Sequence, residues 1–159
     1  MTDVAVLGAG SWGTVLADLL AKKGLAVRLW AFEPEVATAI SERHENPLFL
    51  PGVKLANSLC ASDDIADVVR GAPVICSVVP SHVYRDVLTA IAPHVGGDTR
   101  LVCATKGIEA DTLKLMSGVA EDTLPQAAFV VLSGPSFAEE VHAGQPTAVV
   151  AASRDTGAA

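Results

Sequence analysis

Three glycines near the start of the chain have the spacing of a phosphate-binding turn. Residues 6–14 read VLGAGSWGT, in which Gly8, Gly10 and Gly13 fit the pattern G-x-G-x-x-G. In such a turn the first glycine permits a tight bend, the second lets the backbone approach a pyrophosphate, and the third lets a helix lie close to a strand. The pattern predicts a dinucleotide site here; the alternative is a glycine turn that serves packing alone.

Two residues inside this turn are candidates for contact with the dinucleotide. The hydroxyl of Ser11 lies beside the free N–H groups expected where the next helix begins, and these groups attract phosphate. Trp12 has two interpretations of equal weight, because its spacing suits either the apolar face of that helix or the lining of the diphosphate site.

The end of the second predicted strand carries Phe32 and Glu33 and has no basic residue. An acid at this position accepts hydrogen bonds from ribose hydroxyls, whereas an arginine holds a 2′-phosphate. Glu33 could therefore bind ribose and disfavour NADP. It could also be an acid at a helix start that is stabilised by the helix dipole.

Later strand ends carry further candidates. Lys106 directly follows an apolar strand, where its ammonium group could pair with an anionic substrate or polarise a carbonyl; elsewhere such a residue would be a surface lysine. His82 could transfer a proton, although a solvated or capping histidine is favoured in a first helical turn. Gly134 and Ser136 precede a predicted helix and could bind substrate oxygens or only form its capped turn.

Strand-length apolar runs alternate with helix-period segments along the chain. The predicted strands are residues 3–7, 26–31, 59–62, 73–79, 100–105, 129–133 and 147–152. The predicted helices are residues 11–23, 34–43, 63–70, 81–91, 112–124 and 136–143, with a loop at 45–57. Because this alternation implies right-handed crossovers, we expect an α/β fold: a Rossmann-like, doubly wound, mainly parallel sheet in three layers. Ligands of such sheets bind at the carboxyl ends of the strands.

The predicted first helix, residues 11–23, has one apolar stripe that should pack on the sheet. Its members are Trp12, Val15, Leu16, Leu19 and Leu20. We expect Gly24 to end this helix in a left-handed conformation and Pro34 to open the next one, with Ser81 and Ser136 capping later helices.

Composition excludes several classes of partner. The net charge of −7 argues against nucleic acid and against an anionic membrane surface, since neither is attracted to an acidic protein. Three cysteines, two of them in apolar runs, favour reduced thiols in a cytoplasmic protein over a disulfide framework. We expect no metal site and, at the amino terminus, neither a signal peptide nor a membrane span.

Five stretches together resemble the N-terminal domain of NAD(P)-dependent glycerol-3-phosphate dehydrogenase. In chain order they are GAGSWGT, NPLFLPG (residues 46–52), VPSH, ATKG and SGPSFAEEV. The resemblance covers essentially the whole chain, so that residues 1–159 are expected to form one NAD(P)-binding domain. It implies an oxidoreductase that transfers a hydride reversibly between NAD(P)H and dihydroxyacetone phosphate to give sn-glycerol 3-phosphate, in the service of phospholipid synthesis.

The resemblance also implies roles for single residues. Ser11, Trp12, Phe32 and the backbone near Ala138 would contact NAD or NADP. Lys106 would lie between cofactor and substrate. Gly134 and Ser136 would make the remaining contacts with the substrate.

The chain departs from the family pattern in two respects. It stops at Ala159, before the helical second domain that carries the family's proposed proton-transfer lysine, so we expect a fragment that binds the cofactor but does not turn over alone. Phe32 stands where members of the family often have a polar or basic residue. The alternatives are a related dehydrogenase of hydroxy or keto acids and a non-enzymatic dinucleotide sensor. A homodimer is one expectation for the full-length enzyme.

Overall fold

A computed structural model of the chain describes residues 3–155 and 157–158 and contains one seven-stranded sheet. The strands in chain order are β1 (Val4–Leu7), β2 (Val27–Trp30), β3 (Cys60–Ser62), β4 (Val74–Ser77), β5 (Arg100–Cys103), β6 (Ala128–Ser133) and β7 (Val150–Ala152). Each observed strand overlaps a predicted one, and the observed strand is the shorter except at β6.

In the described part of the chain six α-helices alternate with these strands, as the periodicity predicts. They are α1 (Ser11–Lys22), α2 (Pro34–Thr38), α3 (Ile65–Val69), α4 (Tyr84–Ile91), α5 (Met116–Thr123) and α6 (Ala138–His142). A π turn, Ala39–Arg43, continues α2, and 3-10 turns at Ser81–Val83 and Ala92–His94 flank α4. Among the described residues no helix is both long enough and apolar enough to cross a bilayer.

The strand order is β3-β2-β1-β4-β5-β6-β7. All pairs are parallel except β6 with β7, which is antiparallel. Because β1 is followed along the sheet by β2 on one side and by β4 on the other, the winding reverses between β1 and β4. This order defines a doubly wound sheet, so the predicted fold class is confirmed, and its ligand site is expected beyond the carboxyl ends of β1 and β4.

Two apolar cores lie on opposite faces of the sheet, which gives the predicted three layers. Alternate residues of β1 enter different cores: Val4 and Val6 face α1 and α2, whereas Ala5 and Leu7 face α3, α4 and α5. The central strands are apolar on both faces because helices cover both, as is typical of parallel sheets.

The expected apolar stripe of α1 is only partly correct. Leu19 is 38% exposed, whereas Thr14 and Asp18 are buried together with small residues of the same face, namely Gly13, Ala17 and Ala21. The helix lies so close to β1 that small side chains make the contact. The bulkier Trp12, Leu16 and Leu20 pack at the margin of this core.

Two predicted helix caps are wrong and two backbone predictions are confirmed. Ser81 lies within the 3-10 turn after Pro80, and Ser136 precedes Phe137, which is the residue before α6; neither helix start has a side-chain cap. Gly24 ends α1 with φ +88°, and Pro34 is the first residue of α2.

Candidate cofactor-binding site

The glycine turn after β1 has a separate steric reason for each glycine. Gly8 has φ +107°, and its N–H donates to the carbonyl oxygen of Trp30 at 3.1 Å. A Cβ atom on Gly13 would lie 1.9 Å from the carbonyl oxygen of Gly8, so only glycine permits this approach of α1 to β1. A Cβ atom on Gly10 would meet no atom within 4 Å. The space above Gly10 is therefore open to a ligand.

Helix α1 presents its amino terminus to this open space. Gly10 is the residue before the helix, no acidic residue lies in the first turn, and no side chain caps it. The first helical hydrogen bond runs from the N–H of Thr14 to the carbonyl oxygen of Gly10 at 2.9 Å, so the preceding N–H groups have no acceptor within the helix. Such a helix end attracts phosphate oxygens through free donors and the helix dipole.

A buried asparagine without a predicted role ties the loop at 46–52 to the glycine turn. The Nδ2 atom of Asn46 donates to the carbonyl oxygen of Ala9 at 2.8 Å and to Oγ1 of Thr14 at 2.9 Å. Its Oδ1 atom accepts from the N–H of Phe49 at 3.0 Å. The Ser11 hydroxyl donates to the carbonyl oxygen of Phe49 at 2.5 Å. The asparagine in NPLFLPG was the available signal, but its partners are distant in sequence.

A cavity of about 690 Å³ extends from the glycine turn over the ends of β2 and β4. This volume lies in the range of roughly 300–1,000 Å³ that is usual for ligand pockets. Gly8, Gly10 and Phe32 all line it, so the structure brings together three residues predicted to bind the cofactor. Phe32 is 76% exposed and stands edge-on to Trp30, with 6.3 Å between ring centroids.

A second cavity, of about 620 Å³, is lined by residues of the loop at 46–52 and of α6. Ser11 and Ala138 line it, and Phe49 lines both cavities. Trp12 lines neither cavity; it is half-buried and packs against the core, which favours the core interpretation of this residue. The structure thus places Ser11 and Ala138 at one cavity, which shares Phe49 with the first.

The ends of β4 and β5 are fixed to each other. The Thr105 hydroxyl donates to the carbonyl oxygen of Val79 at 2.8 Å. Gly107 has φ +132°, and a Cβ atom there would lie 2.8 Å from Oγ of Ser81. Lys106, between these two contacts, is exposed and makes no hydrogen bond or ion pair with the described residues. The backbone around Lys106 is held in place while its ammonium group is free.

An ion-pair network anchors the segment that follows Lys106. The guanidinium of Arg85, in α4, donates to both carboxylate oxygens of Glu109, at 2.7 and 2.8 Å, and to Asp122 at 3.0 Å. The hydrogen bonds from Arg85 and from the Thr112 hydroxyl lower the pKa of Glu109 from 4.5 to about 2. The loop after β5 is thereby joined to α4 and α5.

The residues predicted to bind substrate after β6 have a visible packing role. A Cβ atom on Gly134 would lie 2.6 Å from the carbonyl oxygen of Ala148, so glycine is required where the chain passes the segment before β7. The N–H of Ser136 donates to the carbonyl oxygen of Gly134 at 3.0 Å. Neither residue lines the two cavities, nor does Lys106. Their contact with a substrate stays a prediction.

The described residues contain no group of three or more His, Cys, Asp or Glu side chains that could hold a metal ion. Among the described residues, the strand ends offer the free N–H donors of α1, a cavity lined mostly by apolar residues together with Glu33 and Asp86, and the unpaired ammonium group of Lys106. Together with the doubly wound sheet, they define the class of dinucleotide-binding domains.

Comparison with known proteins identifies the family within this class. Residues 3–159 match the family described as the NAD-dependent glycerol-3-phosphate dehydrogenase N-terminus, and the chain belongs to this family. A relative from Geobacter metallireducens, named glycerol-3-phosphate dehydrogenase [NAD(P)+], is 52% identical over 159 residues, which cover 98% of this chain and 48% of the relative. A relative of the same name from Citrifermentans bemidjiense is 50% identical over 152 residues, 94% of this chain and 45% of its own length.

A solved structure shows the same fold. The glycerol-3-phosphate dehydrogenase from Coxiella burnetii has a TM-score of 0.91 with this chain at 38% sequence identity, covering 97% of this chain and 47% of its own. The chain therefore spans about half the length of the relatives that it matches.

Proposed function

We propose that this chain binds NAD or NADP across the carboxyl ends of β1, β2 and β4. The N–H groups of the first turn of α1, beside Gly10 and Ser11, would hold the pyrophosphate. The cavity lined by Phe32 would receive the adenosine half. The observation that carries this proposal is the open space at Gly10, in a turn where Gly8 and Gly13 are required by the backbone.

We further propose that a protein containing this chain is a glycerol-3-phosphate dehydrogenase. The bound nicotinamide would supply or accept the hydride that interconverts dihydroxyacetone phosphate and sn-glycerol 3-phosphate. The names of the relatives support the reaction, and the fixed position of Lys106 supports a role for this chain. Its free ammonium group would attract the phosphorylated substrate and stabilise negative charge on the carbonyl oxygen during transfer. Gly134, Ser136 and Ala138 are proposed as further contacts.

The reaction also requires a group that moves the hydroxyl proton. Because this chain spans about half the length of its relatives, we propose complete turnover only for a polypeptide that includes the other half as well. The three free cysteines suit a reducing compartment, and a cytoplasmic location is part of the proposal.

Cofactor binding is tested by titrating the 159-residue chain with NADH and following energy transfer from tryptophan to the nicotinamide. Trp30 lines the first cavity, so a saturating signal is expected. The variant Gly10→Val should lose this signal because its side chain would occupy the open space. The variant Gly96→Ala is the matched control, because a Cβ atom there also meets nothing within 4 Å. No saturation up to millimolar NADH would contradict the proposal.

The reaction is tested in a chimera that joins this chain to the second half of the Geobacter metallireducens relative. Oxidation of NADH should then depend on dihydroxyacetone phosphate. The intact relative, assayed in parallel, controls for the assay. A chimera that binds NADH and folds, yet shows no oxidation with this substrate, would contradict the proposed reaction.

A further inference from the structure

Two of the three ionisable residues that line the cavity at the end of β2 are acids. Glu33 and Asp86 line it, and no lysine or arginine is among its lining residues within the described part of the chain. His82 is the remaining lining residue with an ionisable side chain. A ligand group placed here therefore meets acids and apolar rings.

The carboxylate of Glu33 is available to a ligand. Glu33 immediately precedes α2, but its side chain makes no capping hydrogen bond, and no ion pair engages it among the described residues. Glu33 lies at the start of α2, where the helix dipole also favours an acid, and no hydrogen bond ties its carboxylate to the helix. The side chain is half-buried and lines the cavity beside Phe32.

Two arginines on elements that line the cavity have other partners. Arg28, in β2, donates to the carbonyl oxygen of Arg70 at 2.9 Å and to that of Asp67. Arg85, in α4, is held by Glu109 and by Asp122 in α5. Neither guanidinium is free to reach toward a phosphate at the end of β2.

Resting on the proposed function, we propose that this site selects NADH over NADPH and that Glu33 and Phe32 determine the selectivity. The family description names NAD and its relatives are named for NAD(P)+, so these names do not decide between the two cofactors. We assign the choice between NADH and NADPH to these side chains. The carboxylate of Glu33 would accept hydrogen bonds from the ribose hydroxyls of NADH. The 2′-phosphate of NADPH would face that carboxylate, and Phe32 offers it an apolar ring in place of a cation.

The experiment compares binding by calorimetry at pH 8, where imidazoles are in general neutral. The probes are NADH and NADPH, together with ADP-ribose and 2′-phospho-ADP-ribose, which carry the same difference without the nicotinamide. We expect about 10-fold or greater preference for the probe without the 2′-phosphate, the effect of an unfavourable like-charge contact. Added salt should reduce the preference by screening this repulsion.

Two variants assign the selectivity to its residues. Glu33→Gln should tighten NADPH binding and so lower the ratio of the NADPH to the NADH dissociation constant. Phe32→Arg should lower this ratio further or bring it below one. Glu35→Gln is the matched control: it removes the same charge from the first turn of α2, but Glu35 does not line the cavity. Its ratio should equal that of the unsubstituted chain. Circular dichroism verifies that each variant is folded.

The outcomes separate the selectivity from cofactor binding itself. Equal affinity for NADH and NADPH would overturn the selectivity and leave the proposed function standing. A ratio that Glu33→Gln does not change, or that Glu35→Gln changes equally, would overturn the role of Glu33. A folded chain that binds none of the four probes would overturn the proposed function and the selectivity together.

Discussion

The side-chain amide of Asn46 donates a hydrogen bond of 2.8 Å to the carbonyl oxygen of Ala9, the residue between the first two glycines of the phosphate-binding turn. Asn46 is fully buried, and its amide oxygen accepts from Phe49, whose ring lines both cavities. One side chain thus sets the position of the loop at 46–52 relative to the glycine turn.

Substitution of Asn46 should affect both stability and binding. Asn46→Ala leaves the N–H of Phe49 without its acceptor, and it leaves the carbonyl oxygen of Ala9 with the Thr14 hydroxyl, at 3.1 Å, as its donor. A buried polar group left unpaired costs about 1–3 kcal/mol. We expect a lower free energy of unfolding in urea and weaker NADH binding. The control is Asn57→Ala, since Asn57 is exposed and makes no side-chain hydrogen bond among the described residues. Equal unfolding free energies for the two variants would refute this role.

The glycine turn allows stability and binding to be separated. Gly10 has φ −63° and open space around it, so Gly10→Ala should retain the free energy of unfolding while NADH binding falls. Gly13→Ala forces a methyl group against the carbonyl oxygen of Gly8 and should lower stability by about 1–3 kcal/mol, the usual cost of overpacking. Urea unfolding and NADH titration of both variants measure the two effects. A stable Gly13→Ala variant would contradict the close approach of α1 to β1.

The fold could be predicted from the sequence because its signals are local. Apolar runs of strand length, helix periodicity and the turn at Gly8 each depend on neighbouring residues, and together they imply a parallel, doubly wound sheet. Whether β7 runs parallel or antiparallel is set by pairing with β6, and a strand pattern carries no direction. The face of α1 was partly mispredicted because Gly13 brings the helix so close that Thr14 and Asp18 are buried.

The candidate site could be predicted only where its residues follow the end of a strand. Gly8, Gly10 and Phe32 follow strands that meet at one edge of the sheet, and they line one cavity. Asn46 could not be assigned a role because its partners Ala9 and Thr14 are 37 and 32 residues away in the chain. Contacts at such distances follow from topology and not from spacing.

The Arg85–Glu109 pair should give the stability a defined pH dependence. The pKa of Glu109 is lowered from 4.5 to about 2, so the folded state favours the carboxylate. Its contribution is therefore complete above pH 4.5 and is lost as the pH falls toward 2. Glu109→Gln should lower Tm by a few degrees at pH 7, and this difference should shrink between pH 5 and pH 3. A difference that is the same at pH 3 and pH 7 would argue against the pair.

Lys106 should matter for the reaction and not for folding, because its ammonium group has no partner among the described residues. In the chimera with the Geobacter metallireducens relative, Lys106→Ala should lower kcat/KM about 100-fold or more, as is usual when a charge-stabilising donor is removed. The unfolding free energy of the chain should not change. Lys23→Ala removes another exposed lysine, at the far end of α1, as a control. An unchanged kcat/KM would make Lys106 an ordinary surface lysine.

The three free cysteines should differ in reactivity. Cys60 is exposed, whereas Cys76 and Cys103 are buried. Burial, reinforced by the neighbouring Cys103, raises the pKa of the Cys76 thiol to about 12, and burial also raises that of Cys103. Because only the thiolate is alkylated readily, iodoacetamide at pH 8 should modify the native chain once, at Cys60.

Mass spectrometry of intact and digested protein measures the number and position of the iodoacetamide adducts. Three adducts are expected in urea. Cys60→Ser should abolish the native adduct and leave the other two in urea. Rapid modification of Cys76 or Cys103 in the native chain would show that the sheet between β4 and β5 opens far more readily than its packing between two helical layers implies.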